Sequence, residues 1–451
     1  MKRTGFVFSG LLVIVSVLGM HIDTLQAEVV ITGDVRPPLP WSTSTNAFVG
    51  YVSYGTLTVD GGSHLYSYNA SLGGLNRVIS WGEATVTGTG STWTVIYTLT
   101  VGRGTSGRLN VENGGQVASA HGEVGVEGQG EVTISGSDSN WTIYHTLRVG
   151  IAGNGVINIQ NGGHLSSASA VVTGGEWAGS AMVYVTGSGS QWTLSEDLFV
   201  GMLSFTYSRL FILNGGQLSC RSAYLAYPNW WSNCHAEVEG TGSRWTISED
   251  LCVGAGGVKI SDGGTISVGR TVVTSGSGSL SLDGGTLDAP TIDDTKGGTK
   301  NFRAGTLRFG TYLGNLTNAG ATVRSRDGVF GMRVNGNYTQ GADAKLLIEI
   351  AGPPESGLFD VLTVTGPANL AGTLALDFSA YVPPEPATYK FLNAPTITGT
   401  FNSYEVIGLD PSLVSFNIPA GEFTVVPEPT TLGLLLAAGV CLLPYARRKR
   451  N

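Results

Sequence analysis

The sequence predicts an all-β fold: a right-handed parallel β-helix (β-solenoid) with a C-terminal β cap and a short hydrophobic tail helix. Three observations predict the solenoid. The chain repeats itself with a period of about 50 residues, its strands alternate apolar and polar side chains, and Gly-rich corners separate the strands. Gly accounts for 67 of the 451 residues and adopts positive φ without strain, which makes it suitable for frequent tight corners. Parallel crossovers favour the right hand.

A Gly-Ser-Xaa-Trp-Thr motif marks the repeat. It is complete at residues 90–94, 189–193 and 242–246, and a looser copy spans 138–142. Each copy is followed by Leu-Xaa-Val-Gly, then by Asn-Gly-Gly or Asp-Gly-Gly. An apolar residue stands two positions beyond each of these corners, at Val117, Leu165, Leu218 and Ile266.

The four motif tryptophans, Trp93, Trp141, Trp192 and Trp245, are 48, 51 and 53 residues apart. Each repeat contains two related halves, so we expect two coils per repeat, each of roughly 24 residues, and a rod of about ten coils and roughly 50 Å. The tryptophans are predicted to form a core ladder, stacked coil above coil. A β-propeller, whose blades are also periodic, is the alternative, but corners after every few residues favour the solenoid.

The chain divides into five predicted segments. Residues 1–27 are typical of a secretory signal peptide cleaved after Ala27, with an uncleaved anchor as the alternative. A Pro-containing lead-in segment spans 28–47, and the repeat solenoid spans 48–299. Residues 300–425 contain longer strands and are expected to cap the open end of the solenoid. Residues 426–451 form a separate tail.

Composition and spacing argue against several classes of function. The formal net charge is −8 and no basic stripe is present, so nucleic acid is not an expected partner. The histidines lack metal-ligand spacing, and no nucleophile motif occurs, so we expect no metal, no cofactor and no catalytic residues. The acidic pairs Glu196-Asp197 and Glu249-Asp250 recur in one register, which indicates a solvated ladder or a weak cation site.

Two features leave alternatives open. Cys220, Cys234 and Cys252 either include one disulfide, as an exported protein allows, or are buried free thiols. A segment that departs from the repeat, residues 224–235, is rich in aromatic residues. Its side chains either contact a glycan or fold over the rod. The candidate glycan contacts are Tyr224, Tyr227, Trp230 and Trp231.

The tail resembles the PEP-CTERM sorting signal of Gram-negative bacteria that produce exopolysaccharide. Its Pro-Glu-Pro falls on Pro427, Glu428 and Pro429, its hydrophobic segment on 432–443, and its basic cluster on Arg447, Arg448, Lys449 and Arg450. The repeats resemble the autotransporter/PEP-CTERM-associated repeat, and residues 300–425 resemble the closing segment of autotransporter passengers. A plain C-terminal anchor is the alternative for the tail.

These resemblances imply an exported protein that uses the Sec machinery, pauses in the inner membrane by its tail and is then cleaved by an exosortase. We therefore expect a non-catalytic rod at the cell surface or in the extracellular polysaccharide matrix, with a structural or adhesive role in biofilm or floc. The alternative is a β-helix enzyme or carbohydrate-binding protein that acts on polysaccharide.

Overall fold

A computed structural model describes residues 28–74, 80–174, 179–202, 207–227, 233–328 and 330–426. The protein is nearly all β, with 64% strand and 2% helix, and forms a parallel β-solenoid of about 13 turns. The predicted fold class is therefore confirmed. At ~4.8 Å per coil, 13 turns make a rod of about 62 Å.

Each coil of the repeat region contributes to three parallel ladders that run along the rod. Ladder 1 holds ten strands, as many as the ten predicted coils: Tyr54–Asp60, Trp81–Thr87, Ser106–Glu112, Gln129–Ser135, Asn154–Gln160, Ser180–Thr186, Tyr207–Leu213, Asn233–Glu239, Gly257–Ser261 and residues 279–284 of the long strand Thr271–Leu313.

Ladders 2 and 3 share four strands that bend from one face to the next: Thr92–Arg103, Gln116–Val126, Asn140–Val149 and His164–Val172. Ladder 2 also contains His64–Ser67, Gln191–Leu194, Gln217–Cys220, Arg244–Ile247 and Thr265–Val268. Ladder 3 also contains Asn46–Val49, Asn69–Leu72, Leu198–Val200, Ala223–Leu225 and Leu251–Val253. Residues 286–288 and 272–274 of Thr271–Leu313 extend ladders 2 and 3 respectively.

The alternation of side chains decides which residues face the interior. In strand Asn154–Gln160, Ile157 and Ile159 are fully buried, while Val156, Asn158 and Gln160 are partly exposed. In-register pairing places Val132 beside Ile157 and Ile134 beside Ile159. The aliphatic side chains of successive coils therefore form continuous columns of apolar contact inside the rod.

The four motif tryptophans are fully buried in ladder 2, as predicted for a core ladder, but they do not stack directly on one another. Trp93 pairs with Val117, Val117 with Trp141, and Trp141 with Leu165. Tryptophan thus alternates with an aliphatic residue, one coil apart. The expected stacking of indoles on adjacent coils is wrong, because each repeat is two coils long and the apolar residue after each Asn-Gly-Gly corner fills the intervening layer.

The motif serine links each tryptophan coil to the preceding corner. Ser139 is fully buried, and its Oγ accepts a hydrogen bond from the Gly114 N–H at 3.0 Å. The corner needs this partner because Asn113 and Gly114 both have positive φ, 53° and 85°, which turns the Gly114 N–H away from the strands. Equivalent bonds of 3.0–3.1 Å join Ser91 to Gly62, Ser190 to Gly162 and Ser243 to Gly215.

Parallel pairing continues beyond residue 299, where the solenoid was expected to give way to a cap. The strand Thr271–Leu313 crosses this position without interruption. Eleven further strands extend parallel ladders: Leu316–Asn318, Thr322–Arg324, Met332–Asn335, Tyr338–Gln340, Lys345–Glu349, Leu362–Val364, Ala368–Leu370, Thr373–Asp377, Leu392–Asn393, Ile397–Gly399 and Ser403–Ile407.

Antiparallel elements stand at both ends of the rod. At the C-terminal end, Ala387–Lys390, Glu422–Val425 and Val414–Asn417 form a three-stranded sheet, accompanied by short 3₁₀ turns at Pro354–Ser356, Pro411–Leu413 and Ile418–Ala420. At the N-terminal end, Glu28–Gly33 pairs with Tyr54–Asp60 and Val35–Arg36 with Asn46–Val49.

The lead-in segment also closes the interior at its end. Trp41 is only 8% exposed, and its ring lies 6.5 Å from that of Trp93. Its indole Nε1–H donates to the Pro37 carbonyl at 2.8 Å. Trp41 therefore covers the first layer of the core.

Candidate functional site

The predicted glycan contacts are only partly within the described residues. Tyr224 lies on strand Ala223–Leu225, and its ring stacks on Phe199 at 5.0 Å and 12°. The ring centroid of Tyr227 lies 6.4 Å from that of Tyr224. Burial raises the pKa of Tyr224. Phe199 therefore covers one face of the Tyr224 ring. Trp230 and Trp231 lie outside the described residues.

The recurring acidic pairs bridge successive coils through arginines. Arg221 donates to Asp197 through both Nε and a terminal nitrogen, each at 2.9 Å. One repeat later, Arg270 lies 3.5 Å from Glu249 and 3.7 Å from Asp250. These carboxylates form the ladder that the sequence predicted, with guanidinium groups as their cations. In the described ranges, no cluster of His, Cys, Asp and Glu could hold a metal ion.

Cys220, Cys234 and Cys252 are free and buried, which is the second of the two sequence alternatives. Burial raises the pKa of the Cys220 and Cys234 thiols to about 12 and that of Cys252 to about 11. Cys220 occupies the register position that Ser119 has one coil before Trp141, since Cys220 pairs with Ile247 and Ser119 with Ile143. Ser119 accepts a hydrogen bond from the Trp141 indole, whereas the Trp245 indole N–H has no hydrogen-bond partner among the described residues.

A surface groove that the sequence analysis did not single out lies on the outer side of ladder 1. It has a volume of about 340 Å³ and is bordered by Trp81 at one end. Trp81 is 37% exposed, whereas the other five tryptophans that the structure describes are at most 8% exposed. Its remaining lining comes from the next three coils: Ser106, Gly107, Arg108, Gln129, Gly130, Glu131, Asn154 and Val156.

The charged side chains of this groove form an ion pair. The guanidinium of Arg108 lies 5.2 Å from the centroid of the Trp81 ring, a cation–π distance. Arg108 also donates to Glu131 at 2.8 Å and 3.2 Å. The side chains of this pair are 36% and 43% exposed, so they remain open to a ligand. The pair fixes the wall of the groove and leaves it without net charge.

One sequence signal does place Trp81 on the surface. It opens strand Trp81–Thr87, in which Gly82, Ala84 and Val86 are the small and aliphatic residues at alternate positions. Those three residues are buried, so the opposite parity, which includes Trp81, faces solvent. The motif tryptophans are all buried, so their regular spacing gives no indication that Trp81 is exposed.

Comparison with known proteins gives no relative. No protein-family model matches the sequence, and no curated protein or solved structure matches the chain. The resemblance to the PEP-CTERM families therefore stays a prediction. The cleavage residue Ala27, the motif Pro427 to Pro429 and the basic cluster 447–450 lie outside the described residues.

Membrane crossing was predicted for the tail helix, residues 432–443, and in the alternative for residues 1–27, and both segments lie outside the described part of the chain. Within that part, no helix has the length and apolar character to cross a membrane.

Proposed function

We propose that the chain is an exported structural rod, delivered to the cell surface or the extracellular polysaccharide matrix and working there as a scaffold or adhesin. The observation that carries this proposal is the way in which the coils are tied together. Hydrogen-bonded ladders join each coil to the next, and buried serine bridges and ion pairs reinforce some of these junctions, which makes an elongated body of closely packed layers.

The charged groups of the C-terminal coils fit a scaffold better than an acid–base site. Arg324 contacts Glu349 at 2.6 Å and Asp327 at 3.3 Å, while Arg308 contacts Asp327 at 2.8 Å. Both carboxylates are thus neutralised by guanidinium groups, and Asp360, whose pKa is raised by burial beside Glu349, is fully buried. A glycosidase needs two carboxyls that face each other across a cleft, one of them available as an acid.

The predicted tail supports delivery to the surface. The stretch from Thr430 to Pro444, about 15 residues around the apolar run 432–443, would make a helix of ~22 Å, shorter than the ~30 Å hydrocarbon core, and the basic cluster is expected to hold its end in the cytoplasm. Such a segment is suited to a temporary stay in the inner membrane, with Pro427 to Pro429 on the outer side for exosortase.

Intact mass of the mature protein, from surface and medium fractions of the native host, tests this proposal. We expect an N-terminus near Glu28 and a C-terminus near Pro427 to Pro429, without Arg447 to Arg450. The Glu428→Ala variant is expected to keep its tail. The chain offers a matched control, because Pro384-Glu385-Pro386 is a second Pro-Glu-Pro without the hydrophobic tail. The Glu385→Ala variant should be processed normally.

An intact C-terminus at Asn451 in the inner-membrane fraction would contradict sorting. The protein would then be a tail-anchored rod. Equal processing of the Glu428→Ala variant and the unmodified chain would also count against the exosortase role.

Polysaccharide binding is a second candidate function, and the exposed Trp81 beside a polar groove is the observation that favours it.

A further inference from the structure

Trp81 differs from the exposed pair Tyr68 and Tyr97 in how much of its ring is covered by another ring. The rings of Tyr68 and Tyr97 stack on each other at 6.0 Å and 10°, so each covers a face of the other. No aromatic ring among the described residues stacks on Trp81, which meets only the guanidinium of Arg108. The indole is therefore an open apolar surface fixed to a rigid strand.

The residues beyond Trp81 form a polar row parallel to the rod axis. Trp81 pairs with Ser106, and Gln129 pairs with Asn154, at the same outward position of four successive coils. Hydroxyl and amide groups are therefore spaced by about 4.8 Å along the groove. The side-chain oxygen Oδ1 of Asn154 accepts hydrogen bonds from the backbone N–H and the hydroxyl of Ser180, both at 3.0 Å. These bonds orient the side-chain amide and leave its NH₂ group as a donor. A linear ligand that lies along the axis would meet one polar group on each coil.

The electrostatics favour an uncharged ligand over an anionic one. Arg108 and Glu131 neutralise each other, and Glu83 lies in register beside Arg108 on the same outward face, so an anionic chain gains no net attraction. Both groups keep hydrogen-bonding capacity, since a guanidinium has five N–H donors and a carboxylate about four acceptor sites. The groove thus combines an apolar platform with several fixed donors and acceptors. Its ~340 Å³ is within the usual range for small-ligand sites, and its lining is more polar than that of most such sites.

We propose that this groove binds a neutral saccharide chain, with one sugar ring against the indole of Trp81 and the following sugars hydrogen-bonded along Ser106, Gln129 and Asn154. The C–H groups of a pyranose face carry partial positive charge and match the negative face of the indole. The hydroxyl groups match the polar row. The proposed function places the protein in a polysaccharide matrix, and this groove specifies the class of ligand that the protein would bind there. The inference rests on the proposed function only for the source of the saccharide.

The test measures binding of neutral hexasaccharides of glucose, mannose and xylose, and of exopolysaccharide purified from the host, to the mature protein by isothermal titration calorimetry. We expect binding of at least one probe, weakened about tenfold or more by Trp81→Ala and much less by Trp81→Phe, which keeps a ring. The matched control is Tyr144→Ala, which removes a 64% exposed aromatic residue from another part of the surface. It is expected to bind like the unmodified protein, and equal melting temperatures verify that the variants are folded.

Binding that survives Trp81→Ala, or that Tyr144→Ala weakens equally, would overturn the assignment of the site. Absence of binding to every probe would overturn the saccharide inference itself. None of these outcomes changes the C-terminus of the mature protein, so failure of this inference is distinguishable from failure of the proposed sorting.

Discussion

Trp141 donates a hydrogen bond from its indole Nε1 to the Oγ of Ser119 at 3.1 Å, across one coil of ladder 2. Both side chains are buried, at 0% and 1% exposure. The same relationship joins Trp93 to Ser67 at 3.2 Å. At these two positions the single polar group of the ring has a partner inside the rod, whereas the indole N–H groups of Trp192 and Trp245 are buried without a hydrogen-bond partner among the described residues.

Removal of that partner should destabilise the rod. In the Ser119→Ala variant the indole N–H is left buried without an acceptor, and we expect the free energy of unfolding to fall by about 1–3 kcal/mol. Chemical denaturation monitored by circular dichroism measures this change. Ser119→Cys should lose less, because the interior already accommodates a cysteine at the equivalent place, where Cys220 pairs with Ile247 as Ser119 pairs with Ile143. Ser166→Ala, an outward serine on the next coil, is the control, and an equal loss in all three variants would contradict the explanation.

The Asn-Gly-Gly corners should tolerate glycine but not a β-branched residue at their first position. Asn161 has a φ of 54° and an exposed side chain, so its conformation rather than its burial decides the result. Asn161→Val is expected to lower the free energy of unfolding by roughly 1–2 kcal/mol, since left-handed backbone is unfavourable for L-residues with a Cβ. Asn161→Gly loses the same hydrogen bond to Ser135 without this strain. A stability of the valine variant equal to that of the glycine variant would contradict the prediction.

Asp360 should make stability depend on pH. Burial raises the pKa of its carboxyl to about 6 from 3.8, although the Glu349 N–H donates to it at 3.1 Å. Between these pH values the folded chain holds a proton that the unfolded chain has lost. The free energy of unfolding should therefore decrease as pH rises from about 4 to 6, by roughly 3 kcal/mol at most.

Denaturation curves at pH 4, 5, 6 and 7 measure this slope. The Asp360→Asn variant cannot ionise, so it should flatten the profile and be more stable than the unmodified protein at pH 7. Asp343→Asn, a change at an exposed carboxylate, is the control and should leave the slope in place. A profile that is unchanged by Asp360→Asn would refute the assignment.

The three described cysteines should resist modification in the folded protein. Burial raises the pKa of Cys220 and Cys234 to about 12, so very little thiolate exists at pH 8 and reagents have no access. Iodoacetamide should label these residues only after denaturation, as peptide mass spectrometry would show. A Tyr144→Cys variant provides an exposed thiol that should react within the same experiment. Labelling of Cys220 in the native protein at the rate of that thiol would contradict the burial.

Much of the fold could be predicted because its signals are local. Strand alternation shows which side chains point inward, and Asn-Gly-Gly corners require positive φ at named residues. Together they predicted coils of about 24 residues, and Val117 does pair with Trp141, 24 residues later. The order in which the coils stack depends on contacts between residues that are distant in the sequence. The sequence alone therefore did not show that Val117 lies between two tryptophans.

The remaining differences also have physical causes. Longer strands after residue 299 indicated a change of architecture, but strand length does not determine whether the next strand pairs in parallel. Trp81 could not be found from the repeated tryptophans, because repetition marks the core rather than a binding surface. Of the aromatic segment, Tyr224 turned out to belong to a ladder strand, where it stacks on Phe199.

The alternation of indole and aliphatic layers has a consequence for how such a rod changes length. Loss or duplication of a single coil would place two indoles, or two smaller side chains, on neighbouring layers, and the interior would be overfilled or left with a void. Loss or duplication of two coils preserves the order of large and small layers. The unit of growth for this architecture is therefore the coil pair, and variants of the rod that differ by an even number of coils should fold with an unchanged interior.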